Sequence, residues 1–243
     1  MTQPYEYKKS KLHQEGVSLN ELADRFGTPA FVYSKARLIS CYRSLSDALS
    51  GLKFKINYSV KANSNLSLLA LLKEEGAGFD IVSAGELNRV LAIKGDPENV
   101  VFSGVGKTSE EIDFALKNNV GCINVESESE LNRIINRARV LKRRAPVSIR
   151  VNPNVDPQTH PYISTGLKEN KFGVPIKDSY PLFNLAHKSE HLIIKGIDCH
   201  IGSQIGSVEP LAEAVKSLCK TVDQLKENGI LIEHINVGGG LGV

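Results

Sequence analysis

The sequence lacks three features that would each assign it to a class of protein: a long apolar run, a CxxC pair and a strong charge excess. No apolar run approaches the roughly 20 residues of a membrane-spanning helix. The four widely separated cysteines, Cys41, Cys122, Cys199 and Cys219, are typical of reduced thiols. A net charge of +3 is too small to indicate nucleic-acid binding. Residues 1–16 are polar, with no apolar core of signal-peptide length, so we expect a soluble cytoplasmic protein without membrane or nucleic-acid partners.

From residue 55 onward the chain repeats one unit, a short β-rich run followed by an amphipathic helix. The predicted strands are 55–60, 78–82, 99–103, 120–124, 147–152, 194–200 and 232–237. Three of the helices begin with the capping-box pattern S/T-x-x-E, at Ser83, Thr108 and Ser127. Strands that alternate with single helices pair in parallel, in a doubly wound sheet or a β/α barrel. Seven such strands favour the barrel, but a barrel of this class needs eight, and no closing strand follows residues 238–242.

Two segments depart from this repeat. Residues 1–50 precede it, and we assign them to an N-terminal segment distinct from a barrel over 51–243. Within that segment the pattern predicts a short helix over 19–26 and a strand over 30–33. Residues 153–173 form a long stretch without periodicity, placed after the fifth strand of the repeat. Loops of that length inside a compact domain are usually lids or binding loops, so we expect it to order over bound substrate.

Lys61 stands at the end of the first predicted strand of the repeat. Side chains alternate along a strand, so Asn57, Ser59 and Lys61 share the face opposite Tyr58 and Val60. A lysine amine held inside a site is desolvated, which lowers its pKa and makes it a better nucleophile toward carbonyls. The alternative is a surface lysine just past the end of a strand.

The same alternation places five polar side chains close to the C-terminal ends of five strands, where β/α barrels build their active sites. These are Lys61, Asp80, Arg150, His200 and Asn236. A single buried polar residue is usually a hydrogen-bonded core group, but five of them with both charge signs are difficult to explain as packing.

A glycine triplet, Gly238–Gly240, follows the last predicted strand. Successive glycines let backbone N–H groups converge on an anion, although a plain turn is the alternative. An amine nucleophile, an imidazole, a guanidinium and a phosphate nest on one rim together predict pyridoxal 5'-phosphate as the cofactor. His187 and His191 have the i, i+4 spacing of metal ligands but lack an acidic or cysteine companion, so we predict no metal site.

Four long segments carry a specific family pattern: YSVKANSNLSLLALLKEEGAGFDIVSAGEL (58–87), NPNVDPQTHPYISTGLKENKFGV (152–174), GIDCHIGSQ (196–204) and NVGGGLG (236–242). In these segments the chain resembles the alanine-racemase-fold, pyridoxal-phosphate-dependent enzymes, and within them the diaminopimelate decarboxylases. The resemblance runs from about Leu12 to the end of the chain. It implies an α/β fold with a parallel, TIM-type β/α barrel.

The resemblance also implies a role for each matching position. Lys61 would hold the cofactor as a Schiff base and His200 would stack on its ring, and these two are the expected catalytic residues. The other expected cofactor-binding residues are Asp80, Arg150, Ser203, Gly239 and Gly240. Glu86 would either join the polar shell around the ring or serve only as the last residue of a capping box.

The implied reaction removes the D-centre carboxylate of meso-2,6-diaminoheptanedioate and gives L-lysine, in the last step of lysine biosynthesis. The alternatives are another amino-acid decarboxylase or racemase of this fold, or a non-catalytic, cofactor-binding homologue or fragment. Members of the family continue with an EPGR segment, a Cys-Glu pair and a tyrosine, which complete the site across a homodimer interface. No EPGR occurs in the sequence, and none of its four cysteines sits in the Cys-Glu motif. We therefore expect an N-terminal portion, without the eighth strand and the C-terminal β domain, that has little activity alone.

Overall fold

A computed structural model describes residues 5–156 and 172–242 of the chain. The strands are β1 Tyr5–Lys8, β2 Lys11–Gln14, β3 Val17–Ser18, β4 Asn57–Ser59, β5 Gly78–Ile81, β6 Val100–Phe102, β7 Cys122–Val125, β8 Ala145–Asn152, β9 Val174–Pro175, β10 Leu192–Asp198 and β11 His234–Asn236. The helices are α1 Leu19–Phe26, α2 Lys35–Ala48, α3 Leu66–Glu74, α4 Ala84–Ala92, α5 Ser109–Lys117, α6 Glu128–Leu141, α7 Tyr180–Lys188 and α8 Glu209–Glu227. Short 3-10 turns lie at Val60–Ala62, Pro97–Asn99 and Ile176–Asp178.

Seven parallel strands form one curled sheet in the order β11-β10-β8-β7-β6-β5-β4, and the short β9 pairs with the end of β8. All seven predicted strands are present, each within two residues of its predicted ends. The prediction of a β/α barrel that lacks its closing strand is confirmed for residues 5–156 and 172–242, because β4 and β11 end the sheet without pairing to each other.

The two faces of the curled sheet differ in polarity. Phe79 and Ile81 of β5 point toward the helices and join an apolar core with Leu87 and Val90 of α4. The opposite, interior face carries Asp80, whose carboxylate accepts hydrogen bonds from neighbouring strands. Barrel interiors of this class are usually filled by bulky branched side chains. Here the apolar core lies outside the strands, and the interior is left for polar groups.

The predicted capping boxes are present in full only at α5. There the Thr108 side chain accepts the Glu111 N–H, and the Glu111 carboxylate accepts the Thr108 N–H. At α4 and α6 the serine caps as predicted, but the glutamate bonds one residue further back. The Glu86 carboxylate accepts the N–H of Val82 at 2.7 Å, and Glu130 accepts that of Glu126 at 2.6 Å. Each glutamate therefore ties its helix to the residue that follows a barrel strand.

The N-terminal segment agrees with the sequence prediction only in part. The helix predicted over 19–26 is α1, but the strand predicted over 30–33 is wrong. Residues 30–33 run without a partner strand in the described structure, with Phe31 89% exposed and its ring stacked on Tyr33. The antiparallel sheet β1-β2-β3 was not predicted. Helix α2 is tied to α3 through Arg43, whose Nε lies 2.6 Å from Glu75, and the boundary near residue 50 stays a prediction.

Helices long and apolar enough to cross a membrane do not occur within 5–156 or 172–242.

Candidate functional site

Lys61 lies in the 3-10 turn that follows β4. Because β4 ends at Ser59, the strand alternation does not reach Lys61, and the residue is exposed. The expectation of a buried, strand-borne amine is therefore wrong. The residue nevertheless follows β4 at the C-terminal ends of the parallel strands, here called the barrel mouth, where His200 follows β10. The Lys61 charge adds to the effect of burial in lowering the pKa of His200, and it opposes the raised pKa of Glu86.

Asp80 is held in the barrel interior by side chains from both neighbouring strands. Ser59 Oγ donates to Asp80 Oδ2 at 3.1 Å, and Ser103 Oγ donates to Asp80 Oδ1 at 2.5 Å. Asn124 Nδ2 in turn donates to Ser103 Oγ at 3.1 Å. This chain of hydrogen bonds crosses four strands, so the Asp80 carboxylate has one defined orientation at the end of β5.

Glu86 makes contacts that fit both of its predicted roles. Its carboxylate accepts the Val82 N–H at the start of α4, as a helix-capping group does. Burial, followed by the nearby Asp80 charge, raises the pKa of Glu86, while the Val82 N–H and Lys61 act in the opposite direction. The carboxylate is therefore part of the same electrostatic cluster as Asp80 and Lys61.

Arg150 forms a second cluster, on β8. Its Nη1 donates to Glu126 Oε1 at 2.8 Å, its Nε lies 3.8 Å from Asp198 Oδ2, and its guanidinium carbon lies 5.4 Å from the centre of the Phe172 ring. Burial raises the pKa of Asp198 to about 7, with Glu126 and Asp80 adding to the shift and Arg150 opposing it. Sequence reasoning did not assign Glu126 to the site, although its place directly after β7 matches that of the residues it did select.

His200 follows β10 and is half-buried at the mouth. Burial, together with the positive charges of Arg150 and Lys61, lowers the pKa of His200 to about 4. The Gly239 N–H donates to His200 Nδ1 at 3.4 Å, which requires that this nitrogen carries no proton. Both observations indicate a neutral imidazole whose Nδ1 is an acceptor.

We expect the His200 imidazole to remain neutral at pH 5.5 in the folded protein. An unfolded histidine binds a proton below its ordinary pKa of about 6.5, whereas folded His200 does so only near pH 4. Its contribution to the free energy of unfolding therefore falls as the pH drops from about 6.5 toward 4. Imidazole ¹⁵N chemical shifts, assigned with the variant His200→Gln, measure this directly. A folded-state titration midpoint near 6.5 would contradict the prediction.

The glycine triplet packs against the chain just after His200. Gly238 and Gly240 have φ values of 70° and 100°, in the region that favours glycine. A Cβ on Gly240 would overlap the carbonyl oxygen of Gly202 and lie 3.3 Å from the Cα of Ser203. A Cβ on Gly239 would meet nothing within 4 Å. The exposed Ser203 hydroxyl and the Gly239 backbone therefore border open space beside His200, an arrangement that fits an anion such as a phosphate.

The predictions for Asn236 and for a lid over 153–173 have different outcomes. Asn236 lies beside Asp198 in the sheet, and its Oδ1 accepts the Gly238 N–H at 2.9 Å, so it shapes the glycine turn. The lid predicted over 153–173 falls largely on residues 157–171, which lie outside the described structure. Among the residues that are described, there is no group of three or more His, Cys, Asp or Glu side chains able to hold a metal ion.

Comparison with known proteins agrees with this geometry. Residues 35–243 match the family described as "Pyridoxal-dependent decarboxylase, pyridoxal binding domain". The diaminopimelate decarboxylase of Pseudomonas aeruginosa is 53% identical over 98% of this chain and 58% of its own length. That of Vibrio cholerae is 50% identical over 96% of this chain and 56% of its own length.

The solved structures give the same result. The diaminopimelate decarboxylase of Helicobacter pylori, in complex with L-lysine, matches with a TM-score of 0.90 and 44% identity, over 93% of this chain and 57% of that one. Lysine decarboxylase of Selenomonas ruminantium, at 23% identity and a TM-score of 0.85, shows the shared fold alone. The chain thus spans a little more than half the length of the relatives it matches. Because the family match covers residues 35–243, most of this chain, the chain belongs to the pyridoxal-dependent decarboxylases, in their pyridoxal-binding domain.

Proposed function

We propose that this protein takes part in removing the D-centre carboxylate from meso-2,6-diaminoheptanedioate, giving L-lysine. The observation that carries the proposal is that Lys61, His200 and the glycine triplet all follow strands of one parallel sheet, at its C-terminal end. The fold that holds them matches, at a TM-score of 0.90, a diaminopimelate decarboxylase solved with L-lysine. We further propose a cytoplasmic location and a homodimer that completes the site, with residues 51–243 as the cofactor-binding barrel and 1–50 as a separate N-terminal segment.

Each residue of the mouth has a role that its contacts support. Pyridoxal phosphate, when bound, supplies an aldehyde for amines and a ring that withdraws the electron pair left by a departing carboxylate. Lys61, exposed at the mouth, would bond the aldehyde through Nζ. His200 would stack on the ring as a neutral imidazole, which adds no charge next to Arg150 and Lys61. Ser203 and Gly240 would bind the phosphate through a hydroxyl and a backbone N–H. Gly239, whose N–H donates to His200, would let the phosphate approach because it has no side chain.

The carboxylates have separate roles in the same proposal. Asp80, fixed by Ser59 and Ser103, would supply a negative charge of constant orientation in the barrel interior. Glu86 lies where its charge interacts with Lys61, so its raised pKa suits a group that exchanges a proton with that amine. Arg150 would balance the negative charge of the cofactor from the other side of the mouth.

Substrate profiling tests the proposal. The protein as its gene encodes it, loaded with pyridoxal phosphate, should convert meso-2,6-diaminoheptanedioate to L-lysine with stoichiometric release of carbon dioxide. In deuterium oxide the product should gain one deuterium on carbon, because the departing carboxylate is replaced by a solvent proton. Preference for ornithine or arginine would indicate another decarboxylase, and deuterium exchange without carbon dioxide release would indicate a racemase. Cofactor binding without turnover of any of these would indicate a non-catalytic homologue.

A further inference from the structure

Glu126 connects three separate elements at the barrel mouth. Its Oε1 accepts hydrogen bonds from Arg150 Nη1 at 2.8 Å and from the backbone N–H of Gly104 at 3.3 Å. Its Oε2 accepts the backbone N–H of Gly173 at 3.0 Å. The side chain is only 3% exposed. A buried carboxylate with this many donors has little freedom to change its orientation.

Arg150 depends on this carboxylate for its own orientation. A guanidinium is planar, so fixing one edge of it fixes the direction of the remaining N–H groups. Glu126 holds Nη1, Asp198 lies on the Nε side, and the Phe172 ring lies against the guanidinium plane. Arg150 pairs with Asp198 in the sheet, and His200 follows Asp198 by two residues. The guanidinium that Glu126 orients therefore lies at the strand ends where the cofactor ring is proposed to bind.

We propose that Glu126 is a positioning residue of the cofactor site, which sets cofactor affinity by holding the Arg150 guanidinium in its orientation. The inference rests on the proposed function in one respect, the placement of Arg150 beside the cofactor. Glu126 lies behind Arg150 and acts through it. Its contribution to binding should therefore exist only while Arg150 is present.

A double-mutant cycle separates this role from a general effect on folding. Glu126→Gln removes the charge that holds Arg150 and keeps one carbonyl oxygen, which can accept only one of the two backbone N–H groups, that of Gly104 or that of Gly173. Arg150→Met removes the guanidinium while retaining an apolar stem. The dissociation constant for pyridoxal phosphate is measured by absorbance titration of the protein as its gene encodes it, in the absence of substrate. Because charge-assisted hydrogen bonds are the strong ones, we expect Glu126→Gln to raise that constant about tenfold.

In the Arg150→Met background, Glu126→Gln should raise the dissociation constant less than about twofold, because the group through which it acts is gone. Asp113→Asn is the matched control. Asp113 is also a carboxylate bound to an arginine, with Oδ1 2.7 Å from Arg137 Nε, but the pair joins α5 to α6 away from the mouth. Asp113→Asn should therefore leave the affinity for pyridoxal phosphate within about twofold of that of the wild type.

Three results would overturn the proposal. Unchanged affinity in Glu126→Gln would show that Glu126 does not position Arg150, while the cofactor site itself stands. If Glu126→Gln still lowers cofactor affinity tenfold in the Arg150→Met background, its effect is structural and independent of Arg150. A wild-type protein that binds no pyridoxal phosphate would contradict the cofactor site as well. If Glu126→Gln does not fold, Glu126→Asp, which keeps the charge but moves it back by one methylene, takes its place in the same cycle with the same expected pattern.

Discussion

Replacing Lys61 by alanine is expected to abolish covalent attachment of pyridoxal phosphate and to lower decarboxylase activity by about a thousandfold or more. Lys61 follows β4 at the C-terminal ends of the parallel strands, the end at which His200 and the glycine triplet also lie. Borohydride reduction of the loaded wild-type protein, followed by peptide mapping, should place the pyridoxyl label on the peptide that contains Lys61. The same treatment of Lys61→Ala should yield no labelled lysine.

The other lysine close to the barrel interior is a poor candidate for this role. Lys107 is 1% exposed, and its Nζ is already bound to Gly104 O at 2.5 Å, Asn124 O at 2.7 Å and Glu130 Oε1 at 2.8 Å. Breaking such a buried ion pair is strongly unfavourable, so Lys107 would not exchange these partners for an aldehyde. Lys73→Ala, on the outer helix α3, is the control and should retain label and activity. A label on Lys107 or Lys171 in the wild type would contradict the assignment.

The barrel could be predicted from the sequence because the strand runs, the helix caps and the chain connectivity all indicate the same fold. Short apolar runs alternate with capped amphipathic helices, and parallel pairing then follows from chain connectivity alone. The convergence of Asp80, Arg150 and His200 could also be predicted, since the carboxyl ends of parallel strands share one edge. Those inferences need only periodicity and topology. They do not depend on the rotamer of any single side chain.

The features that sequence did not predict depend on contacts between distant residues. Residues 30–33 have the composition of a strand but no neighbour with which to pair, and strand propensity without a partner does not make a sheet. The sequence pattern predicts Lys61 at the end of a strand, but β4 ends two residues earlier at Ser59, because periodicity does not show where a strand becomes a 3-10 turn. The Glu126–Arg150 pair joins residues 24 apart in sequence on adjacent strands. From sequence alone, Glu126 is an ordinary acidic residue before a helix. Only the structure shows that it is instead the partner of Arg150.

Substituting Gly240 by alanine should raise the dissociation constant for pyridoxal phosphate about a hundredfold. Gly240 has a φ of 100°, which costs an alanine about 1–3 kcal/mol by itself. Its new Cβ would also overlap the carbonyl oxygen of Gly202, a backbone atom that cannot move aside as a flexible side chain would. The turn must therefore shift away from Ser203, which would separate the groups proposed to bind the phosphate. Absorbance titration with the cofactor measures the loss, and thermal unfolding shows whether the rest of the barrel stays folded.

Gly206→Ala provides the matched control for this prediction, because a Cβ there meets nothing within 4 Å and the residue is exposed. It lies only a few residues after Ser203, so a general intolerance of this segment to side chains would affect both variants. The hydrogen bond from Ile205 N to Gly240 O, 2.8 Å long, connects the same two segments and should weaken only in Gly240→Ala. Slower amide exchange at Ile205 in Gly206→Ala than in Gly240→Ala would report that difference. Wild-type cofactor affinity in Gly240→Ala would show that the close approach of the two segments is not what forms the phosphate site, and would transfer that role to side chains such as Ser203.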